Sequence, residues 1–284
     1  MPYHATLYYA MGEGLGSLTR ASAVKHSLGL EELRIVTAEA VASKVFHSQE
    51  LLKVPPTQLD PRSYQKWLEK RLKRYEFDAV YLDTFPAGLM GELNAWLPQW
   101  EDKLHYVARA MNMEAYASRL PETFPRLAST LILEELPPAQ LAFIQAHSDE
   151  IRHLELGDPP VEIATSVQHL LGKLSAPIWL ILHAGPAAEV DVLLQAARNL
   201  ARQELATPSW LVCTQCDYRT PYRDVHVIDL YPATALTEFA EKVFTGCGFN
   251  TMRQLIGLGD KHLYLPFERR YDNQVARSER AEKK

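Results

Sequence analysis

The chain has 284 residues, a formal net charge of −5 and 47% hydrophobic residues, enough apolar material for one large domain or two small ones. No basic face of the kind carried by duplex binders stands out, which argues against nucleic acid as a partner. Three cysteines are too few for a disulfide framework, and the longest apolar runs, such as Ile178 to Leu182, fall far short of a membrane span.

The N-terminus, Met1-Pro2-Tyr3-His4-Ala5-Thr6, shows no charged region followed by an apolar one, so no signal peptide is expected. Ala5 to Met11 is an apolar run followed by the glycine-rich turn Gly12-Glu13-Gly14-Leu15-Gly16. Helical spacing runs from Ser17 to about Leu28, and a second strand reads Glu32 to Thr37. Ser63 to Tyr75 carries the charges of a solvated helix face, and Phe77 to Leu82 has a buried-strand pattern. Strand, helix and strand at this pitch predict a parallel sheet with crossover helices. Further strands are expected at Leu104 to Ala108 and Ala128 to Leu133.

Gly157-Asp158-Pro159-Pro160 is the best linker candidate, because two prolines end any helix before them. The α/β rhythm then restarts. Ile178 to Leu182 reads as a strand, Glu189 to Gln203 as a helix, and Trp210 to Cys213 and Val225 to Leu230 as strands. Leu236 to Val243 has helical spacing, and Phe244 to Gly248 is a strand end entering a turn. Thr251 to Gly257 reads as a helix, and His262 to Pro266 as a last strand. The charged end from Arg277 to Lys284 is expected to fray. The fold class is therefore α/β: two Rossmann-like domains, residues 1–155 and 156–284, with parallel sheets facing across a cleft.

Three segments carry chemistry. In Gly12 to Arg20, the glycines Gly12, Gly14 and Gly16 allow close approach of backbone to a ligand, and the following helix start can hold an anion. It is not a Walker loop, since no Gly-Lys-Ser/Thr follows, and as a dinucleotide fingerprint it fits poorly. In Thr245-Gly246-Cys247-Gly248-Phe249-Asn250-Thr251, a strand again turns into a helix, with Asn250 and Thr251 as capping types, and Gln254 lies one turn on. In Leu263 to Gln274, an apolar strand ends in Pro266, and a polar loop carries Glu268, Asp272, Asn273 and Gln274, which suit sugar hydroxyls. Alone, each segment is equally a tight turn, a capped helix or a solvated loop.

Together, the second and third segments resemble the donor-binding half of the family 28 C-terminal type of GT-B glycosyltransferases. That group includes the N-acetylglucosaminyltransferase of peptidoglycan lipid synthesis and the plant galactolipid synthases. The first segment resembles the Gly-x-Gly-x-Gly-His-x-x-Arg loop of the same superfamily, and Asp83 to Gly88, followed by Gly91-Glu92-Leu93, resembles a stretch in some predicted bacterial members. The resemblance implies that Gly246, Gly248, Asn250 and Thr251 hold the donor diphosphate, that Gln254 meets the ribose, and that Asp272, Asn273 and Gln274 contact the sugar. Gly12, Gly14, Gly16 and Arg20 form the acceptor-side loop. Departures are equally specific. Ser17 stands where the family has its loop histidine, Gln254 replaces the ribose acid, and the chain stops at Lys284, where typical members continue with a helix. A histidine serves as general base near neutral pH, whereas an unassisted serine does not. Asp83 and Glu13 are the candidate replacement bases, and His183, in the loop after its strand, is a candidate phosphate contact.

The CxxC pair Cys213 and Cys216 lacks the two further ligands a zinc site needs, and the loop after it does not start a helix as a redox motif should. Neither a metal nor a cofactor is expected, because the nucleotide sugar is a substrate. The expected partners are a nucleotide sugar, with a uridine diphosphate sugar favoured, and an unknown acceptor. A cytoplasmic location is expected, with peripheral membrane contact left open. Three functions compete: a hexosyltransferase, a nucleotide-sugar hydrolase, and a non-catalytic nucleotide-sugar binder or partner subunit.

Overall fold

All strand pairings in both sheets are parallel. The computed structural model describes residues 3–12, 14–58, 60–161, 163–174 and 177–283. The chain divides into two compact units. The first is Met1–Pro159 with Arg269–Asn273, and the second is Pro160–Glu268 with Gln274–Lys284.

The first unit runs β1 (Tyr3–Tyr9), α1 (Gly16–Leu28), β2 (Leu33–Thr37), β3 (Leu51–Lys53), α2 (Pro61–Leu72) and β4 (Tyr75–Asp83). It continues with β5 (Leu104–Ala108), α3 (Met113–Tyr116), β6 (Leu127–Ile132), α4 (Pro138–His147) and β7 (Ser148–His153). Its seven-stranded sheet has the order β3-β2-β1-β4-β5-β6-β7. The central strands β1 and β4 are covered on both faces, which is why Leu7-Tyr8-Tyr9 and Val80-Tyr81-Leu82 are continuous apolar runs rather than alternating ones. Helix α2 starts where Asp60 accepts from the Ser63 amide and Pro61 takes the first position. It buries Tyr64, Trp67, Leu68 and Leu72 in the same core as Leu7 and Tyr9, at the spacing of one helix face.

The second unit runs α5 (Thr165–Leu171), β8 (Ile178–Leu182), α6 (Ala187–Gln203), β9 (Ser209–Cys213), β10 (Val225–Ile228), β11 (Ala240–Gly246), α7 (Phe249–Gln254), β12 (His262–Leu265) and α8 (Gln274–Glu282). Its five-stranded sheet has the order β10-β9-β8-β11-β12. Helix α6 buries Val190, Leu193, Leu194, Ala197 and Ala201, an uninterrupted stripe at helical spacing.

Two expectations fail here. Leu236 to Val243 is not a helix: a 3-10 turn covers Ala233–Glu238, and Ala240 onward is β11, a strand paired on both sides. The spacing of Leu236, Ala240 and Val243 imitates a helix face, but a central parallel strand buried on both faces satisfies the same apolar residues. The C-terminal charges do not fray through their whole length either. Arg277 is buried and donates to the Cys247 carbonyl at 2.9 Å, so α8 is anchored in the second unit.

Between β4 and β5 a loop is held by its own side chains. Glu92 is buried and accepts from the Tyr9 hydroxyl at 2.6 Å and from the amides of Leu89 and Met90 at 3.1 and 2.6 Å. Tyr64 contacts the Tyr9 oxygen at 2.5 Å, and burial, then Tyr64 and Glu92, keep the Tyr9 hydroxyl protonated far above the usual phenol range. Gly88 has φ 84°, and a methyl group there would fall 2.4 Å from the Glu92 carboxyl carbon. Gly88→Ala should therefore cost about 2–4 kcal/mol, combining backbone strain with displacement of a tied carboxylate. Urea unfolding checks this, and a midpoint equal to wild type would show that the loop is not clamped in this way.

Candidate functional site

Open parallel sheets bind ligands beyond the C-terminal ends of their strands, at the place where strand order reverses. The first sheet reverses between β1 and β4, the second between β8 and β11.

In the first unit, that position is filled by an ion pair. Arg20, in the second turn of α1, donates from Nε to Asp83 Oδ1 at 2.6 Å and from Nη2 to Oδ2 at 2.5 Å, and Nη2 also reaches Thr84 Oγ1 at 3.0 Å. The Tyr8 hydroxyl donates to Asp83 Oδ1 at 2.9 Å. Arg20 and Asp83 are 4% and 2% exposed, so these contacts are made away from water. Burial pulls the Arg20 pKa down, but the Asp83 carboxylate beside it outweighs that, and the guanidinium ends above its ordinary value. Burial and then Asp83 push the Tyr8 hydroxyl well up.

Thr84, with φ 63°, is held in this uncommon conformation by the Tyr106 hydroxyl on its carbonyl at 2.8 Å. Gln140 Nε2 bridges Tyr106 and the Arg109 carbonyl at 3.0 and 2.9 Å, and its oxygen takes the Met111 amide at 2.9 Å. A network this fully bonded fixes the loop after β4.

The acceptor-side residues can now be placed. Asp83 spends both oxygens on Arg20 and Tyr8, so acting as a general base would require breaking a buried ion pair. Ser17 is buried at the start of α1 with its hydroxyl on the Ala10 carbonyl at 3.4 Å. Glu13 lies outside the described residues. The Gly14 amide already meets a carboxylate, Glu39 Oε1, at 2.8 Å. Glu39, beyond the end of β2, was not singled out in the sequence; its position just after that strand is the signal that could have found it. Gly12 and Gly16 have room around them, with only Ser17 approaching Gly12. Arg20 is a partner of Asp83 rather than an outward-facing cation.

The expected sugar-binding trio is divided. Asp272 belongs to the first unit, where it pairs with Arg109 at 2.9 Å, and its charge also raises the Arg20 pKa. Asn273 is exposed in the same segment. Gln274 is buried in the second unit, and its oxygen accepts the Cys247 and Phe267 amides at 3.1 and 3.0 Å. One amide of the glycine turn is thereby occupied by the protein itself, and Gln274 acts as a brace on the turn.

At the switch point of the second unit, His183 follows β8, and Gly246 ends β11. His183 Nε2 lies 2.7 Å from Glu189 Oε2, with Glu189 in the first turn of α6. The ring centre is 5.2 Å from that of Phe267. Two glycines make room for the imidazole. A methyl on Gly246 would lie 2.9 Å from His183 Cε1 and 3.2 Å from Phe267, and one on Gly185 would lie 2.4 Å from His183 Nε2. The turn continues through Gly248, which is itself the N-cap of α7, so Asn250 and Thr251 lie within the first turn and do not cap it. Gln254 is the last residue of that six-residue helix. Thr245 links the turn to β12: its hydroxyl donates to the Gly246 carbonyl at 3.0 Å and lies 2.7 Å from His262 Nε2.

Among the described residues, no group of three or more His, Cys, Asp or Glu could hold a metal ion. Cys213 is buried, and the Cys216 sulfur lies 3.2 Å from the Thr214 hydroxyl. Among the described residues, no helix is long and apolar enough to cross a membrane.

No protein-family model matches the chain, and no curated protein sequence matches it. Solved structures do. The glycotransferase of kitacinnamycin is similar with a TM-score of 0.61 at 13% identity, over 99% of this chain and 84% of that one. The spinosyn rhamnosyltransferase complexed with thymidine diphosphate gives 0.55 at 12% identity, over 93% and 81%. A UDP-N-acetylglucosamine 2-epimerase from Rickettsia bellii gives 0.52 at 11% identity, over 89% and 77%. The chain therefore has the GT-B fold of nucleotide-sugar glycosyltransferases, with two Rossmann-like units.

Two outcomes follow. Asp83→Ala removes the carboxylate that faces the buried Arg20 guanidinium and should destabilise the protein by about 3–5 kcal/mol, measured by denaturant unfolding; a fully stable variant would show that Asp83 is not a structural partner. Burial lowers the His262 pKa to about 4, below its unfolded value, so the unfolded chain binds the proton more readily. Stability is complete above the unfolded histidine pKa and is lost as pH falls through the window down to about 4. Between about pH 7 and about pH 5 the melting temperature should fall less in His262→Gln than in wild type. Parallel curves for the two proteins would refute the assignment.

Proposed function

We propose that the chain is a glycosyltransferase of the GT-B type that takes a nucleoside diphosphate sugar in its second unit and transfers the sugar to an acceptor bound by its first. The observation that carries this reading is the His183–Glu189 pair, seated on Gly185 and Gly246 at the reversal point of a GT-B sheet. An oriented imidazole beside a glycine turn suits a diphosphate, which wants close N–H donors. Glu189 sets the ring orientation beside the leaving diphosphate. The turn from Gly246 through Gly248 to Asn250 and Thr251 supplies donors, Gln254 meets the ribose, and Gln274 holds the turn in shape. The family 28 resemblance and the preference for uridine diphosphate belong to this proposal. So do a cytoplasmic location and the absence of a cofactor.

A second reading is binding without transfer. It is favoured by the state of the first unit, where Asp83 and Ser17 are both committed to internal partners.

Uridine and thymidine diphosphate at about 100 times Kd should each add ~2.7 kcal/mol, raising the melting temperature by about 5 °C. The tighter of the two identifies the base. Gly246→Val, which displaces the imidazole, and His183→Ala should each weaken nucleotide binding by about tenfold, a loss of one charge-assisted contact. If neither nucleotide shifts the melting temperature, the donor assignment fails. Release of free sugar or of glycosylated acceptor from a bound donor then separates transfer from binding alone.

A further inference from the structure

Residues 61–74 hold six cations, Arg62, Lys66, Lys70, Arg71, Lys73 and Arg74, against a single acid, Glu69, in a chain whose net charge is −5. That segment therefore carries +5 (six minus one), and the rest of the chain −10. Lys66, Lys70 and Arg74 fall at intervals of four and lie along one line of α2 and the turn beyond it. Arg71 lies one turn after Trp67, with its guanidinium carbon 5.9 Å from the centre of the indole. These four cations, with Trp67 and Pro55, line a cavity of about 540 Å³. No acidic side chain is part of that lining, and among the described residues none of the four cations enters an ion pair.

A helix dipole accounts for some of this charge. Lys70 and Arg71 sit in the last turn, where carbonyl ends favour cations. It does not account for Lys66, a full turn earlier, nor for the convergence of four cations on one recess. Like charges so arranged repel one another and raise the local affinity for an anion. The recess has the size of a small-molecule site, with an apolar floor of indole and proline beneath a charged rim. The same helix end disfavours an anion, so attraction must come from the side chains.

We propose that this recess on α2 binds a multiply charged phosphate-bearing anion, separately from the donor site, with the phosphates on Lys66, Lys70, Arg71 and Arg74 and any attached carbon skeleton against Trp67.

Residue-resolved lysine acetylation tests it in the whole chain, read by mass spectrometry. The probes are inorganic pyrophosphate as a free anion, and vesicles containing phosphatidic acid against phosphatidylcholine as a lipid headgroup. The expected result is that acetylation of Lys66 and Lys70 falls by about fivefold near saturation while that of Lys73 does not change. The protection should weaken steeply with added salt and vanish in Arg71→Glu/Arg74→Glu. Protection by pyrophosphate assigns a free ligand, and protection by the anionic vesicles alone assigns a lipid headgroup; both support the site. Uniform protection of all lysines, protection that survives the double variant, or none with either probe overturns it. Because the readout is local to α2, failure of the donor assignment leaves this result intact, and the converse holds.

Discussion

The bidentate pair between Arg20 and Asp83 is the constraint on which the first unit depends. It joins α1 to the end of β4 across the position where the sheet reverses direction, and both residues are buried. A buried ion pair adds little net stability relative to a well-fitted apolar pair, but losing either partner strands a charge. Its effect is therefore on geometry. Next to Asp83, Thr84 takes a left-handed conformation held by Tyr106, and the loop that follows is tied further by Gln140 and Glu92. A second pair, Arg109 with Asp272, brings residues 269–273 into the same unit, with the Tyr271 ring 5.4 Å from Phe85.

The second unit meets the same topological situation in a different way. Where the first fills its reversal point with charged side chains that satisfy one another, the second fills it with an imidazole. Gly185 and Gly246 carry no side chain, and His183 occupies the space a Cβ on either would need. Its orientation is fixed by Glu189 of α6 from one side and by Phe267, just beyond β12, from another. Gln274 and Arg277 of α8 then tie the Cys247 backbone, one through its amide and the other through its carbonyl. Side chains drawn from a distant helix thus set the shape of the glycine turn.

Much of the fold was legible because parallel α/β units write two periods into the sequence. Apolar runs marked β1, β2, β4, β5, β8, β9 and β12, and helical spacing marked α1 and α6. The failures have physical reasons. β7 is an exposed edge strand, Ser148–His153, with no apolar alternation to read, and β3 is three residues long. The first part of β11 hid behind the helical spacing of Leu236, Ala240 and Val243, while its end from Phe244 to Gly246 read as strand. In the sites, residue type was visible and partnership was not. Asp83 as a strand-end acid, Gln274 as a sugar contact and Gly14 as an anion loop are all sensible from local pattern. What assigns them is Arg20, the Cys247 amide and Glu39, which lie 63, 27 and 25 residues away in sequence.

These partnerships decide where catalytic power can come from on the proposed reading. Holding a developing diphosphate charge with preorganised donors is the largest single contribution available to such a transfer, and it would reside in the second unit. A general base on the acceptor adds about 10²–10⁴-fold. Asp83 can supply that share only by giving up its bidentate pairing with the buried Arg20 guanidinium. Ser17 has its proton on the Ala10 carbonyl. Acceptor chemistry and base identity are therefore one question. A neutral sugar hydroxyl needs a proton acceptor that neither Asp83 nor Ser17 provides, whereas an acceptor that ionises near neutral pH brings its own nucleophile and needs only to be positioned.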